Sequence, residues 1–470
     1  MLTHEIVTSV MKKFFRYLGI SLLVIIVATL TYILIFFPTI MTGMAAKTMC
    51  SCVYVTNRTP ESVVQEEFQV FPGMPSLPYE VNRKDSSVSV SMFWKTSKAI
   101  YRDRLGCTLL AEQEEDVVRS QSIKRPPVAA NQDSLAWPSG NSIADTILQG
   151  VDYTKIKEAV NNAFADIDPE KTIYTHGVAV VYNGQLIAEK YADGYDHNSR
   201  LMGWSMTKSI TNALIGILVK EGKLKTEEAA PVPEWKDDER HNITLNNLLQ
   251  ASSGIEWSES YFSPTADFHQ MFIKSDDKAA YAASRKLKHE PGTFFQYSSG
   301  TTNILSRIIR QTVGDTAYYQ FPYKKLFYKI GMNHAVIEPD ASGTFVASSY
   351  SFASARDWAR LGLLYLNDGV WNGERILPEG WVKYSTTPAP AAKIRQYGAQ
   401  IWLNLGNSAN PSEVEYPGLP NEAIIFDGFE KNFVVIIPSK NLVVVRLGVT
   451  HNKNFSMANL VNGVIEGLPD

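Results

Sequence analysis

Cysteine is scarce in this chain, and so is any excess of one charge. Three cysteines and eight dispersed histidines among 470 residues form neither His-Glu-x-x-His nor Cys-x-x-Cys, so the sequence predicts no metal centre, and no cofactor is expected. With 45 Lys+Arg against 48 Asp+Glu, the formal net charge is -3. That balance, with no nucleic-acid motif, removes nucleic acid and strongly charged macromolecules from the candidate partners. Gly-x-Gly-x-x-Gly and the phosphate-binding loop are also missing. A Gly-x-Ser-x-Gly elbow is ruled out at Ser205, where Thr207 stands two residues on.

What the sequence does have begins with an apolar run. From Tyr17 to Ala46 no charged residue occurs, and "ISLLVIIVATLTYILIFFPTI" matches the length of about 20 residues that a membrane helix needs. Lys12, Lys13 and Arg16 precede it. The positive-inside rule then predicts a cytoplasmic tail (1–16), a single-pass anchor in the inner membrane (17–40) and a periplasmic or extracellular remainder. "GMAA" before Lys47 is a weak cleavage candidate, and the apolar run is longer than a signal peptide requires. Cys50, Cys52 and Cys107 fit an oxidising location; the preferred pair is Cys50 with Cys107, the alternative being three unpaired thiols.

Beyond the anchor, "CVYVTN", "FQVFPG" and "SSVSVSMFW" read as short strands of a β-rich extension (47–115). A stretch mixing charge, Pro and Ser (116–142) reads as a linker, and the main domain is placed at 143–470. Ile156, Val160 and Phe164 predict its opening helix, and Asn183-Gly184 predicts a tight hairpin. "ARDWARLGLLYLNDG" predicts a helix capped by Ser354, "FVVIIP" and "LVVVRLG" a second hairpin, and residues 456–468 a last helix. The predicted fold is α+β: an antiparallel sheet flanked by helices.

Two Ser-x-x-Lys copies occur. Ser275 to Lys278 lies among charges and reads as a solvated turn. Ser205 to Lys208 opens a run in which Met206, Ile210, Leu214, Ile217 and Leu218 share a face and Gly222 ends the helix. A serine is a nucleophile only when something takes its proton, and a lysine does so when burial lowers its pKa. Placed in the first helical turn, the pair lies within hydrogen-bond reach, with unpaired N–H groups close to the oxyanion of acyl transfer. Downstream stands Tyr297-Ser298-Ser299, whose phenol is a candidate proton relay.

These motifs resemble the serine β-lactamases and penicillin-binding proteins, in their class C-like branch. There Ser-x-x-Lys carries the nucleophile, and a Tyr-x-Asn or Ser-x-Asn element faces it. "LLQASSGIEWSESY", "DGVWNGERILPEGWV" and "YGAQIWLN" further resemble 6-aminohexanoate-dimer hydrolases, with Glu259 and Tyr261 matching a Glu-x-Tyr pair beside the substrate pocket. The likeness runs from about residue 145 to the end. It implies a β-lactamase-like fold with an all-helical subdomain, acylation of Ser205, Lys208 as base and Tyr297 as relay. Ser299 replaces the asparagine of the second motif, and no Lys-Thr-Gly precedes the last hairpin. Asp427-Gly428 stands at about that place, with a backbone N–H nearby as candidate oxyanion donor. Ser299, Asp427 and Gly428 therefore join Glu259 and Tyr261 as expected substrate-side residues, whereas Trp204 and Trp402 read first as packing aromatics.

The expected function is hydrolysis of a small amide or ester by a membrane-anchored serine hydrolase. The alternatives are a peptidoglycan D,D-peptidase or β-lactamase, and a non-catalytic sensor or scaffold on the same fold. Substrate identity and oligomeric state are not legible.

Overall fold

The computed structural model describes residues 2–121, 126–127, 134–144, 146–166, 172–451 and 455–469. The N-terminal helix α1 runs unbroken from Leu2 to Tyr54. Its described side chains between Met11 and Ile35 are exposed, and those from Ile40 onward are largely buried. It is long and apolar enough to cross a membrane, while its second half belongs to the folded body.

That second half packs on an antiparallel meander of β1 (Tyr79–Asn82), β2 (Ser87–Met92), β3 (Lys95–Arg102) and β4 (Gly106–Leu110). Thr42 Oγ1 and Ser97 Oγ share a hydrogen bond of 2.8 Å. The Cys50–Cys107 disulfide forms as preferred, with a Cα separation of 6.0 Å, and Cys52 is left as a buried thiol. Lys47 makes a buried ion pair with Glu338 of the main domain. Two of the three strands predicted here are corrected. Residues 52–54 finish α1, and Glu67–Val70 form a 3-10 turn; both apolar runs are short enough to suit either period, and tertiary packing decides between them. The predicted linker contains a short helix, Glu115–Ser120, at its start; residues 122–125 and 128–133 of it lie outside those described.

The main sheet comprises β5 (Thr175–Tyr182), β6 (Gln185–Tyr191), β7 (Trp402–Leu403), β8 (Ile424–Gly428), β9 (Asn432–Ile437) and β10 (Leu442–Gly448). Its order is β7-β8-β9-β10-β5-β6, antiparallel throughout. Period-2 alternation gives it two apolar faces. Val178, Val180, Val435 and Val444 pack against α2 (Tyr153–Asn162) and the last helix, α6 (Met457–Ile465). Ala179, Val181, Val434 and Val443 face Trp358 and Leu361 of α5 (Ala355–Leu366), capped by Ser354 as predicted. Between β6 and β7 lies the helical block, centred on α3 (Thr207–Lys220) and α4 (Ser299–Val313). Helices on both sides of an antiparallel sheet, with a helical subdomain inserted, make the α+β, β-lactamase-like architecture expected.

The reading of Ser275–Lys278 as a solvated turn is corrected. Lys278 is 4% exposed and opens a short helix; its backbone N donates to Asp340 Oδ2 at 3.0 Å, and its ammonium donates to the Ser275 carbonyl. Asp276 in the same stretch accepts from the backbone N of Ala111 at 3.1 Å and of Glu112 at 2.8 Å, partners far away in sequence.

Candidate active site

Ser205 sits in a 3-10 turn, Trp204–Met206, that runs straight into α3. Trp204 adopts φ +48°, an uncommon conformation for a large side chain. Surrounding bonds hold the turn: Gly203 N donates to Ser351 O at 2.8 Å, and Thr207 Oγ1 lies 2.6 Å from both Trp204 O and Ser351 Oγ. Gly428 at the end of β8 closes on the same turn, where an added Cβ would lie 2.4 Å from Gly203 O, so no side chain fits. Lys208 follows one turn after Ser205, only 2% exposed.

Lys208 Nζ has three neighbours: Ser205 Oγ at 3.2 Å, Ser299 Oγ at 3.2 Å and the Ser348 carbonyl at 2.9 Å. Burial pushes its pKa down to about 8, against the opposing pull of Glu259. Tyr297, just ahead of the α4 N-cap Ser298, packs on Trp402 with centroids 5.1 Å apart and ring planes tilted by 30°. Lys208 Nζ stands 4.7 Å from the centroid of the Tyr297 ring. Burial first, then neighbouring Tyr397 and Tyr261, drive the Tyr297 pKa well above the usual phenol value. That phenol therefore keeps its proton at neutral pH.

Glu259 accepts from the Ser299 backbone N at 2.9 Å, from the Ser299 hydroxyl and from Trp257 Nε1. Ser299, expected on the substrate side, is 1% exposed and bridges Lys208 to Glu259. Tyr261 packs edge-on against Phe268 and Phe429, 4.7 and 5.5 Å away. Asp427 accepts from the Tyr416 hydroxyl at 3.2 Å, and burial pushes its pKa up to about 7. Ser205, Lys208, Tyr297, Glu259 and Ser299 thus form one connected cluster. Tyr261 lines the cleft beside it, and Gly428 closes the turn.

The sequence profile of the Beta-lactamase family matches residues 160–460, nearly two thirds of the chain. The chain belongs to the Beta-lactamase family. Its relatives include the 6-aminohexanoate-dimer hydrolase of Paenarthrobacter ureafaciens, 26% identical over an alignment of 228 residues, with 44% of this chain and 56% of that protein covered. The chain therefore matches little more than half of that relative's length. Among solved structures, a candidate 6-aminohexanoate-dimer hydrolase of Bacillus anthracis superposes with a TM-score of 0.53 at 24% identity, covering 74% of this chain and 89% of that one. A family VIII carboxylesterase superposes with a TM-score of 0.55 at 16% identity, covering 70% and 100%. Both share the fold.

In this Beta-lactamase family member, two contributors to the site escaped sequence reasoning. The Ser348 carbonyl is backbone and leaves no residue-type signal. The other is a wall of the cleft beside Ser205, which comes from α1 and the extension through Met44, Thr48, Val70, Phe71 and Met74. Nothing local in those segments points to Ser205, because only the fold brings them there. Trp204 lines this cleft, whereas Trp402 packs under Tyr297, as its reading as a packing aromatic expected.

Proposed function

We propose that this protein is a membrane-anchored serine hydrolase that cleaves amides or esters through a Ser205 acyl-enzyme, with Lys208 as base and Tyr297 as proton relay. One observation carries the reading. Ser299 gives its hydroxyl proton to Glu259, so toward Lys208 it can only accept, and the Ser348 carbonyl can only accept as well. A neutral Lys208 spends its two N–H bonds on these partners, and its lone pair is left facing Ser205 Oγ at 3.2 Å. That is the geometry of a general base.

In acylation the Ser205 Oγ–H proton passes to Lys208 as Oγ bonds the substrate carbonyl carbon. The C–N or C–O bond then breaks, and the departing amine or alcohol takes a proton from the Tyr297 hydroxyl, which Lys208 resupplies. Water reverses the sequence and releases the acid. Backbone N–H groups at the start of α3 and beside Gly428 are the candidate oxyanion donors. The apolar run within α1, preceded by Lys12, Lys13 and Arg16, supports a single-pass anchor with the catalytic domain in the periplasm or outside the cell.

The test is intact mass after exposure to a fluorophosphonate and to a penicillin, for wild type and Ser205→Ala. Serine-dependent labelling by the fluorophosphonate alone is the expected result. Labelling by both would favour a D,D-peptidase or β-lactamase, and no adduct from folded protein would sink the hydrolase.

A further inference from the structure

The cleft beside Ser205 is mostly apolar. The hydrolase domain contributes Trp204, Tyr261, Phe268, Phe272 and Phe429 on one side, and Met44, Val70 and Phe71 stand on the other. No Lys or Arg lines it; its two carboxyl side chains are Glu67 and Glu430, and its one histidine, His451, is already engaged, with Nδ1 2.8 Å from Glu430 and Nε2 2.6 Å from the Glu66 carbonyl. A substrate carboxylate placed there would lose its water, face Glu67 and Glu430, and find the one histidine already paired with Glu430. Met44 follows Ile40, the last residue of the predicted anchor, by four residues, about 6 Å along the helix axis, so this part of the wall stands just beyond the anchor.

We infer that the substrate is an amphiphile whose hydrocarbon chain lies in this cleft, against Met44, Val70 and Phe71, with its ester or amide carbonyl at Ser205. The inference rests on the serine-hydrolase reading and names the substrate class of the same site. Hydrolysis adds one water across the acyl bond and yields an acid plus an alcohol or amine. Each methylene taken from water into the cleft raises kcat/KM about three- to fourfold until the cleft is full.

The experiment uses full-length protein in lipid nanodiscs and p-nitrophenyl acetate, butyrate and octanoate, with Val70→Trp to fill the cleft and Val70→Ala to widen it. The wild type should prefer octanoate over acetate by at least tenfold in kcat/KM. Val70→Trp should cut that ratio at least tenfold, and Val70→Ala should keep it. Turnover of acetate with no chain preference, or a ratio indifferent to Val70→Trp, overturns the inference and leaves the hydrolase standing. Absence of both turnover and fluorophosphonate labelling defeats the hydrolase reading and this inference with it.

A separate observation concerns the β2–β3 hairpin and rests on α1 crossing a bilayer. Strand β3 runs beside α1, with Ser97 bonded to Thr42. Eight residues further along α1, Cys50 is joined to Cys107, the strand partner of Tyr101. Eight helical residues rise about 12 Å and four strand residues about 13 Å, so the two segments advance in step. Trp94 precedes Ser97 by about 10 Å of strand, which puts the hairpin tip level with about residue 35 of α1. There Phe93 and Trp94 stack with centroids 5.7 Å apart, 70% and 69% exposed. Lys274 Nζ, 5.2 Å from the Phe36 ring, supplies a cation at the same level.

Exposed aromatics and a lysine at the end of an apolar span are what an interfacial belt requires. The geometry assigns the Phe93-Trp94 tip to the headgroup region of the bilayer that α1 enters. The test is tryptophan emission of full-length protein in nanodiscs of plain or brominated phosphatidylcholine, taken as wild type minus Trp94→Phe. Quenching of that difference by the brominated lipid is expected. An unquenched difference puts Trp94 in water and overturns the assignment.

Discussion

Ser299 accepts a hydrogen bond from Lys208 at 3.2 Å and donates its own to Glu259, so one buried hydroxyl separates the ammonium from the carboxylate. Glu259 fixes which way Ser299 points, and its charge also favours the protonated lysine. Glu259→Gln keeps a hydrogen-bond acceptor and removes the charge. Losing a nearby negative charge lowers an ammonium pKa, so the acid limb of kcat/KM should move below the wild-type position. A limb that stays put or moves up would show that Glu259 is not coupled to the base.

In the wild type the base must be neutral to accept the Ser205 proton. With Lys208 near a pKa of about 8, kcat/KM for an activated ester should rise about tenfold per pH unit below that value and level off above it. Tyr297, held well above the usual phenol range, adds no limb in that window. Lys208→Ala should remove the limb and lower kcat/KM by roughly 10²- to 10⁴-fold. A full pH profile of both proteins checks this.

Proton delivery by Tyr297 matters most when the leaving group is a poor one. Tyr297→Phe keeps the ring on Trp402 and loses only the hydroxyl. It should slow an alkyl ester or anilide at least tenfold more than a p-nitrophenyl ester, whose phenolate departs without a proton. Equal losses on both substrates would make Tyr297 a positioning group for Ser205.

Ser205, Lys208 and Tyr297 could be singled out in the sequence because each sits at a boundary with a local signature. Ser-x-x-Lys heads an apolar 3.6-residue period, and Tyr297 stands between a Pro-Gly turn and a helix. The hairpin at Asn183-Gly184 and the Ser354 cap are local in the same way. Lys278 was misread because Asp340, which accepts from its backbone N, lies 62 residues away. Residues 52–54 were misread because a short apolar run suits helix and strand equally until it meets its packing partners. The α1 wall of the cleft was beyond reach for a third reason: an apolar helix has one sequence appearance whether it ends in lipid or beside Ser205.

That wall is held by Lys47, whose ammonium pairs with Glu338 in the interior and donates to Ser51 Oγ at 2.8 Å. Glu338 also accepts from Ser51 Oγ at 3.0 Å and from Cys107 N at 2.6 Å, so α1, β4 and the helical block meet at one carboxylate. Burial raises the Glu338 pKa even with Lys47 present. Lys47→Met strands the carboxylate and should cost about 3–5 kcal/mol. A carboxyl whose folded pKa lies above its unfolded value contributes stability at low pH and loses it as pH rises through the folded pKa. The loss in Lys47→Met should therefore be larger at pH 8 than at pH 5, and Lys47→Met with Glu338→Leu should recover most of it. Thermal unfolding of the three proteins at both pH values decides. A loss independent of pH, or a double variant no better than the single, would mean that α1 is held by packing and the Cys50–Cys107 bond alone.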